Sequence, residues 1–314
     1  MRVLVTGGAG YVGGWLVDQA MAAGHEVRVF DRLLYEDLYL KEVEFVYGDV
    51  TDLDALGPQL QWAEVVIFLA GFVGDPLCAL NPVQTRKVNV DAVQLLIDHF
   101  DGQIIFPSTC SVYGAQHGEL TEVSPVAPLS LYAETKLIAE ELLIRRSAPS
   151  IIFRLGTLFG LSDTYSRIRI DLVLNVLTVR AVLEKKMSVF GGNQFRPLLH
   201  VRDVATAMVP CIGQSHNGIY NLHAENLTIA ELAQRIQTQI TTAEIEFTES
   251  TFQDARNYRV SSRKAEKQLG FKPLFSLEDG IREIAHVVES QRIKNVELAR
   301  FSNVTAMTPL IGMR

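Results

Sequence analysis

The first half of the chain alternates short apolar runs, rich in β-branched residues, with longer amphipathic stretches. The apolar runs are nearly continuous, which is typical of strands covered on both faces of a parallel sheet. Strands are predicted at residues 3–6, 26–30, 44–47, 65–69, 103–106 and 150–154, and helices at 11–23, 52–60, 82–99 and 131–147. This order predicts an α/β fold with a doubly wound parallel sheet.

The second half of the chain is less regular. A helix is predicted near 168–184, before the turn-rich stretch 190–193. Another helix should begin with Thr228 as its N-cap, because Glu231 stands three residues later as a capping-box partner. The sequence contains no internal repeat or Ser/Gly linker. We therefore expect a smaller, interleaved C-terminal α/β part that packs against the first half.

Composition narrows the class of protein. The 314 residues are 48% hydrophobic and 21% charged, and the net charge of −7 disfavours nucleic acid as the main partner. No stretch approaches the ~20 apolar residues of a membrane span, and the chain begins on the predicted strand RVLVTG without a signal peptide. Cys78, Cys110 and Cys211 lack metal-ligand spacing, so neither a disulfide framework nor a metal site is expected. These features predict a cytoplasmic protein.

Residues 6–13, Thr-Gly-Gly-Ala-Gly-Tyr-Val-Gly, follow the first predicted strand and open the first helix. Gly7, Gly10 and Gly13 let the backbone approach a pyrophosphate at a helix N-terminus, where free N–H groups favour negative charge. Asp31 ends the next predicted strand and can accept hydrogen bonds from an adenosine ribose. The combination predicts a dinucleotide site. Asp31 favours NAD over NADP, although Arg32 beside it could accommodate a 2′-phosphate.

Tyr132 and Lys136 lie four residues apart on a predicted helix, so the phenol and the ammonium share one face. A phenol titrates near ~10 and is a weak base at neutral pH. A fixed cation, helped by the positive nicotinamide of bound NAD+, should bring the pKa of the tyrosine toward neutrality. Such pairs also occur by chance in helices, and the glycine-rich loop in the same predicted sheet makes the catalytic interpretation preferable.

With these motifs the chain resembles the extended short-chain dehydrogenase/reductase family, particularly its NAD-dependent nucleotide-sugar epimerases and dehydratases such as UDP-glucose 4-epimerase. The resemblance runs nearly end to end. It rests on TGGAGYVG at 6–13, the acid Asp31, GDV at 48–50, LAG at 69–71, Asn89, STCSVYG at 108–114, Tyr132 with Lys136, and RPLLHVRDVA at 196–205. It implies a Rossmann NAD-binding domain at 1–158 and a mainly nucleotide-sugar-binding domain at 159–314, with a segment near 200–222 returning to the first domain.

The resemblance also implies roles for individual residues. Tyr132 would be the catalytic base, Lys136 would hold the nicotinamide ribose, and Thr109 would hydrogen-bond the sugar O4. The implied cofactor-binding residues are Gly7, Gly10, Tyr11, Val12, Gly13, Asp31, Arg32, Asp49, Val50, Leu69, Ala70, Gly71, Asn89, Tyr132 and Lys136. The implied substrate-binding residues are Thr109, Cys110, Ser111, Asn175, Arg196 and Arg256, with Arg259, Arg167 and Arg169 as further candidates for the sugar or its phosphates.

A homodimer built on a helix bundle is a further implication of the resemblance. The helices near 82–99 and 131–147 would form it across the dimer axis. Leu95, Leu96, Leu142 and Leu143 fit such an interface, and they fit burial within one subunit equally well.

The stretch 108–114 bears on the reaction, because it carries no charge at neutral pH. In the 4,6-dehydratases of the family the threonine is followed by Asp and Glu, where this chain has Cys110 and Ser111. A hydroxyl is a poor general acid, and a thiol, near ~8.5 when free, can act only if its pKa is lowered. A 4-epimerase needs neither, because its 4-keto sugar rotates and takes the hydride back on the other face.

We therefore expect an NAD-dependent nucleotide-sugar 4-epimerase in which Cys110 only fills space. Three alternatives stay open: a nucleotide-sugar 4-dehydrogenase or keto-reductase, an atypical dehydratase that uses Cys110 as acid or base, and a non-catalytic NAD-binding regulator. The intact pair of Tyr132 and Lys136 argues against the regulator, which has no need of them.

Overall fold

The computed structural model describes residues 1–248 and 256–311. Within these residues the strands are β1 Arg2–Thr6, β2 Glu26–Asp31, β3 Glu44–Tyr47, β4 Val65–Phe68, β5 Gln103–Thr109, β6 Ala115–Leu120, β7 Ser150–Leu155, β8 Thr157–Phe159, β9 Lys186–Phe190, β10 Phe195–His200, β11 Gly218–Leu222, β12 Glu225–Thr228, β13 Glu244–Thr248 and β14 Asn257–Val260. The helices are α1 Gly13–Ala22, α2 Leu53–Trp62, α3 Asp75–Leu80, α4 Pro82–Arg86, α5 Ala92–His99, α6 Leu131–Ile144, α7 Val173–Leu183, α8 Val201–Met208, α9 Ile229–Gln239, α10 Arg263–Leu269, α11 Leu277–Glu289 and α12 Asn303–Ile311.

The central sheet is parallel and has the strand order β11-β7-β5-β4-β1-β2-β3. Val3 and Val5 of β1 belong to the apolar core on one face, and Leu4 between them belongs to the core on the other. This two-sided burial explains the continuous apolar runs of the sequence. The strand order reverses between β1 and β4, so a crevice opens at the carboxyl ends of these two strands.

The second half of the chain builds a smaller lobe and also contributes to the main sheet. The strands β12, β10 and β8 form a three-stranded sheet, and β13 pairs in parallel with β9. Helices α7, α9 and α11 cover a third apolar core that includes Leu174, Leu232 and Ile281. β14 pairs with β6, and β11 completes the main sheet beside β7.

Local signals in the sequence predicted several of these elements closely. β3 has the predicted bounds, and the capping box is present, with the Thr228 hydroxyl accepting from the Glu231 amide at 3.1 Å. The helix predicted at 82–99 consists of α4, a π-helical turn at Lys87–Asp91, and α5. The helix predicted near 168–184 begins only at Val173, since the backbone of Leu172 before it is extended, with ψ 143°.

No helix in the described part of the chain combines the length and the apolar character that crossing a membrane requires. Those residues also contain no cluster of His, Cys, Asp and Glu side chains that could hold a metal ion.

Candidate active site

The loop between β1 and α1 can be built only from glycine at key points. Gly7 has φ +72°, and a Cβ there would lie 2.6 Å from the backbone nitrogen of Ala70. A Cβ on Gly13 would lie 2.2 Å from the carbonyl oxygen of Gly8. The loop therefore packs directly against the end of β4, and α1 starts with no acidic side chain in its first turn. This start of a helix suits a phosphate group.

Two clefts open above this loop. The nucleotide cleft is lined by residues that include Gly7, Gly10, Asp31, Arg32, Asp49, Val50, Leu69, Ala70 and Gly71. The catalytic cleft is lined by residues that include Tyr11, Val12, Ser108, Thr109, Ser111, Tyr132 and Lys136. The catalytic cleft spans about 1160 Å³ of space, part of which is open to solvent.

Asp31 anchors the nucleotide cleft. Its carboxylate accepts hydrogen bonds from the backbone N–H groups of Ala9, at 3.0 Å, and Leu33, at 2.8 Å. Burial raises the pKa of Asp31, against the opposing effect of these hydrogen bonds. The guanidinium of Arg32 is paired with the carboxylate of Asp49. Arg32 is thus already neutralised by an acid, which fits the predicted preference for NAD over NADP.

Asn89 supports the loop that follows β4. Its side-chain oxygen accepts from the Phe72 N–H at 2.8 Å, and its amide donates to the Phe72 carbonyl at 2.9 Å and to the Thr135 hydroxyl at 3.2 Å. The π-helical turn at Lys87–Asp91 carries this side chain. Asn89 was predicted to bind the cofactor. In the structure it lines neither cleft and instead forms hydrogen bonds with the loop after β4.

Tyr132 and Lys136 lie on the buried face of α6, as the four-residue spacing predicted. The ammonium of Lys136 donates to the Pro107 carbonyl at 2.9 Å and lies 4.4 Å from the ring centre of Phe106. Burial lowers the pKa of Lys136 from 10.5 to about 8. Burial also raises the pKa of Tyr132, an effect that the nearby Cys78 increases and a hydrogen bond with Thr109 opposes.

The residues of the lip, 108–114, divide between the cleft and the interior. The Thr109 hydroxyl donates to the Ser111 hydroxyl at 3.1 Å, and the Ser111 oxygen lies 3.2 Å from the Tyr258 oxygen. Cys110 is fully buried, its thiol donates to the Arg154 carbonyl at 3.2 Å, and burial raises its pKa. This thiol does not line the catalytic cleft. Its placement corrects the assignment of Cys110 to the substrate and supports the space-filling interpretation.

A buried ion pair lies behind the lip. Arg154 donates from Nε and Nη2 to the carboxylate of Glu140, with the shortest distance 2.7 Å, and from Nη1 to the Tyr113 hydroxyl at 2.9 Å. Ser108 of the lip donates to the same carboxylate. The pair joins β7 to α6, which carries Tyr132, and the bond from Ser108 adds β5, which carries Thr109. The sequence did not predict this pair, because Glu140 and Arg154 are far along the chain from Ser108 and Tyr113, with which they form hydrogen bonds.

Of the arginines predicted to bind the substrate, some line the catalytic cleft and Arg196 does not. Arg256 lines the catalytic cleft, 3.2 Å from the carboxylate of Asp75, and Arg167 and Arg169 line it too. Arg196 does not line it. This buried side chain donates to the carbonyls of Phe195 and Arg256, so it supports the backbone at Arg256.

Asn175 is fully buried and does not line either cleft. Its side chain accepts from the Gly160 N–H at 3.0 Å and donates to the Arg169 carbonyl at 2.7 Å. Tyr11, near the end of the glycine loop between β1 and α1, donates its hydroxyl to the Gly160 carbonyl at 2.8 Å. Asn175 was predicted to contact the substrate. In the structure its hydrogen bonds instead stabilise the backbone of the segment before α7.

Tyr258 is a site residue that sequence reasoning missed. It belongs to β14 and lines the catalytic cleft opposite Ser111. Only the pairing of β14 with β6 brings it to the lip, and no local pattern in the sequence reveals that pairing.

Comparisons with known proteins agree with this arrangement. The model of the NAD dependent epimerase/dehydratase family matches residues 3–222. UDP-glucuronic acid decarboxylase 1 of Danio rerio is 27% identical over 324 residues, covering 95% of this chain and 77% of the relative. A protein of Bacillus subtilis (strain 168) described as the uncharacterized UDP-glucose epimerase YtcB is 27% identical over 317 residues, covering 91% and 98%.

A solved structure extends the agreement to three dimensions. MoeE5 in complex with UDP-glucuronic acid and NAD is similar with a TM-score of 0.80 and 25% identity, over 92% of this chain and 99% of that one. The glycine loop, the acid at Asp31, the pair of Tyr132 and Lys136, and these likenesses lead to one conclusion. The chain belongs to the NAD-dependent epimerase/dehydratase family of nucleotide-sugar enzymes and uses NAD as its cofactor.

Proposed function

We propose that the protein is a nucleotide-sugar 4-epimerase. The glycine loop and Asp31 would hold NAD, which when bound would supply a reversible hydride acceptor for C4. Tyr132 takes the O4 proton as the C4 carbonyl forms, and Thr109 keeps O4 within reach of the phenol. Lys136 lies four residues along the same helix and lines the same cleft. Because burial raises the pKa of Tyr132 in the ligand-free protein, we expect the phenolate to form only when the positive nicotinamide of NAD+ is bound. Return of the hydride to the other face inverts C4 and leaves no net redox change.

The observation that carries this proposal is the acid content of the catalytic cleft. Its described lining contains Tyr132, Lys136, hydroxyls and three arginines, but no Asp, Glu or His. Elimination of water from C5 and C6 needs a second acid and base. Inversion at C4 needs only the tyrosine, so the lining supports epimerisation over dehydration. The dehydratase that would use Cys110 is also disfavoured, because that thiol lies outside the cleft and has a raised pKa.

Decarboxylation of a nucleotide-linked uronic acid is the second candidate. The relative from Danio rerio is named as a UDP-glucuronic acid decarboxylase. Oxidation at C4 turns a uronic acid into a β-keto acid, in which the C5–C6 bond breaks, CO2 leaves, and the electron pair passes through C5 to the ketone oxygen. The resulting enolate takes a proton at C5, and return of the hydride to C4 gives the pentose. That step also needs no extra carboxylate, and the described lining of the catalytic cleft carries basic side chains but no acidic ones, which favours an anionic substrate.

One experiment separates these reactions. UDP-glucose, UDP-galactose, UDP-glucuronate and UDP-galacturonate are incubated singly with the NAD-loaded enzyme and followed by ¹H NMR. Interconversion of C4 epimers with all six carbons retained supports the epimerase. Release of CO2 with appearance of a UDP-pentose supports the decarboxylase. Accumulation of a 4-keto sugar that keeps all six carbons, together with NADH, contradicts both and favours the dehydrogenase or keto-reductase.

We also propose the division into a cofactor domain at 1–158 and a mainly substrate domain at 159–314, and a homodimer. Leu96 and Leu143 are buried in the core of one subunit, whereas Leu95 and Leu142 are partly exposed. A homodimer through α5 and α6 would therefore use Leu95 and Leu142. Light scattering after size-exclusion chromatography measures the mass of the particle. Leu142→Glu should convert a dimer to a monomer, and a dimer that persists in this variant would show that the interface lies elsewhere.

A further inference from the structure

Arg167 stands in the segment between β8 and α7 and is 4% exposed. Its guanidinium lies 3.5 Å from the ring centre of Tyr35. Nε donates to the Arg300 carbonyl at 3.1 Å, and Nη1 donates to the side-chain oxygen of Asn303. Nη2 is buried and has no hydrogen-bond partner within residues 1–248 and 256–311. Buried guanidinium donors are nearly always paired, so this one calls for a ligand.

The position of Arg167 indicates which ligand. The nucleotide cleft and the catalytic cleft share five lining residues, and these define the junction between them: Gly7, Tyr35, Leu69, Gly71 and Arg167. Gly7 belongs to the phosphate-binding loop. A dinucleotide whose adenosine lies beside Asp31 and whose nicotinamide lies beside Tyr132 must pass its pyrophosphate through this junction.

The neighbouring acids are already engaged by other arginines. Asp171 accepts two hydrogen bonds from Arg169, at 2.9 and 3.0 Å, and Glu36 is paired with Arg300. Burial lowers the pKa of Arg167 to about 10, so the group still carries its charge at neutral pH. Arg167 therefore offers an oriented cation that no carboxylate neutralises directly, whereas Arg169 two residues away is paired.

We propose that Arg167 binds the pyrophosphate of NAD from the side opposite the glycine loop, with Nη2 donating to a phosphate oxygen. The C-terminal segment holds the guanidinium in place through the Arg300 carbonyl and Asn303. The side-chain amide of Asn303 donates to the Val73 carbonyl, and its backbone N–H donates to the Asp171 carboxylate at 2.9 Å. The cofactor site thus includes residues from the last fifteen of the chain.

Calorimetric titration tests this assignment without any turnover. NAD+, ADP-ribose and adenosine are titrated into the ligand-free wild-type protein and into Arg167→Met. Loss of one charge-assisted hydrogen bond should weaken NAD+ and ADP-ribose by about 10- to 100-fold. Adenosine, which has no phosphate, should change by less than about 3-fold. Arg282→Met is the control, because Arg282 is exposed, is paired with Asp279 and lines neither cleft, and it should leave NAD+ affinity within about 3-fold of the wild type.

A second variant guards against misfolding. Asn303→Ala removes the acceptor at Nη1 while leaving the guanidinium in the chain, and it should weaken NAD+ by a smaller factor than Arg167→Met. Circular dichroism shows whether each variant is folded. An unchanged NAD+ affinity in folded Arg167→Met overturns the proposal, as does an equal loss in Arg282→Met. If UDP affinity falls while NAD+ affinity is kept, the guanidinium serves the substrate and the proposal is wrong.

Discussion

Replacing Arg154 by Met tests the claim that the ion pair behind the lip is part of the site's scaffold. The side chains of Arg154 and Glu140 are 4% and 1% exposed, and the guanidinium makes three hydrogen bonds to the carboxylate and one to Tyr113. Without the arginine, a buried carboxylate loses its counter-charge. Breaking such a pair from one side costs about 3–5 kcal/mol of unfolding free energy.

The corresponding change in melting temperature follows from the size of the chain. An unfolding entropy of about 2.1 cal/mol/K per residue gives roughly 0.66 kcal/mol/K for 314 residues. The Arg154→Met variant should therefore melt about 5–8 °C below the wild type in differential scanning calorimetry. The exposed pair of Arg145 and Glu141, on the same helix end and 3.6 Å apart, provides the control. Arg145→Met should change stability by less than about 0.5 kcal/mol.

The double variant Glu140→Leu, Arg154→Met decides whether the cost arises from the uncompensated charge. With both charges removed, most of the lost stability should return, because no ion is left buried. A double-mutant cycle in urea measures this coupling. Additive losses, or a loss below about 1 kcal/mol in Arg154→Met alone, would refute the reasoning.

Three further predictions concern the chemistry of the cleft. Tyr132→Phe should reduce kcat by at least about 100-fold with NAD+ affinity unchanged, since it removes the proton acceptor but keeps the ring; turnover near the wild-type rate in the NMR assay would rule out this base. Cys110→Ala should keep kcat within about 3-fold while lowering stability by roughly 1 kcal/mol, and complete inactivation of a folded variant would restore its catalytic role. Lys136 should titrate near 8 in ¹⁵N-lysine NMR of the ligand-free protein. Because its folded-state pKa lies below 10.5, its contribution makes stability rise between pH 8 and 10.5, a rise that Lys136→Met should lack.

The parts of the site that the sequence predicted are those encoded by neighbouring residues. The glycine loop follows from a strand, a tight turn and a helix start in consecutive residues, and Tyr132 with Lys136 follows from the period of one helix. These arrangements depend on local backbone geometry, which short patterns report directly.

The parts that the sequence could not predict depend on pairing across long distances. Tyr258 reaches Ser111 across 147 residues, and Arg167 reaches Asn303 across 136. The sequence likewise could not distinguish an asparagine that touches substrate from one that fixes the backbone, as Asn175 does. Polar residues serve both purposes with the same chemistry, so only their surroundings in the fold separate the two.

The return of late residues to the cofactor half limits how this enzyme can be recombined. Tyr258 contacts Ser111 of the lip, just after β5, and the Asn303 side chain donates to the Val73 carbonyl in the loop after β4. A chimera that takes its residues beyond 158 from a relative with another sugar preference would therefore import new neighbours for the nicotinamide end of the cleft as well. An exchange of halves should therefore transfer sugar specificity only when the contacts of Tyr258 with Ser111 and of Asn303 with Val73 are preserved in the chimera.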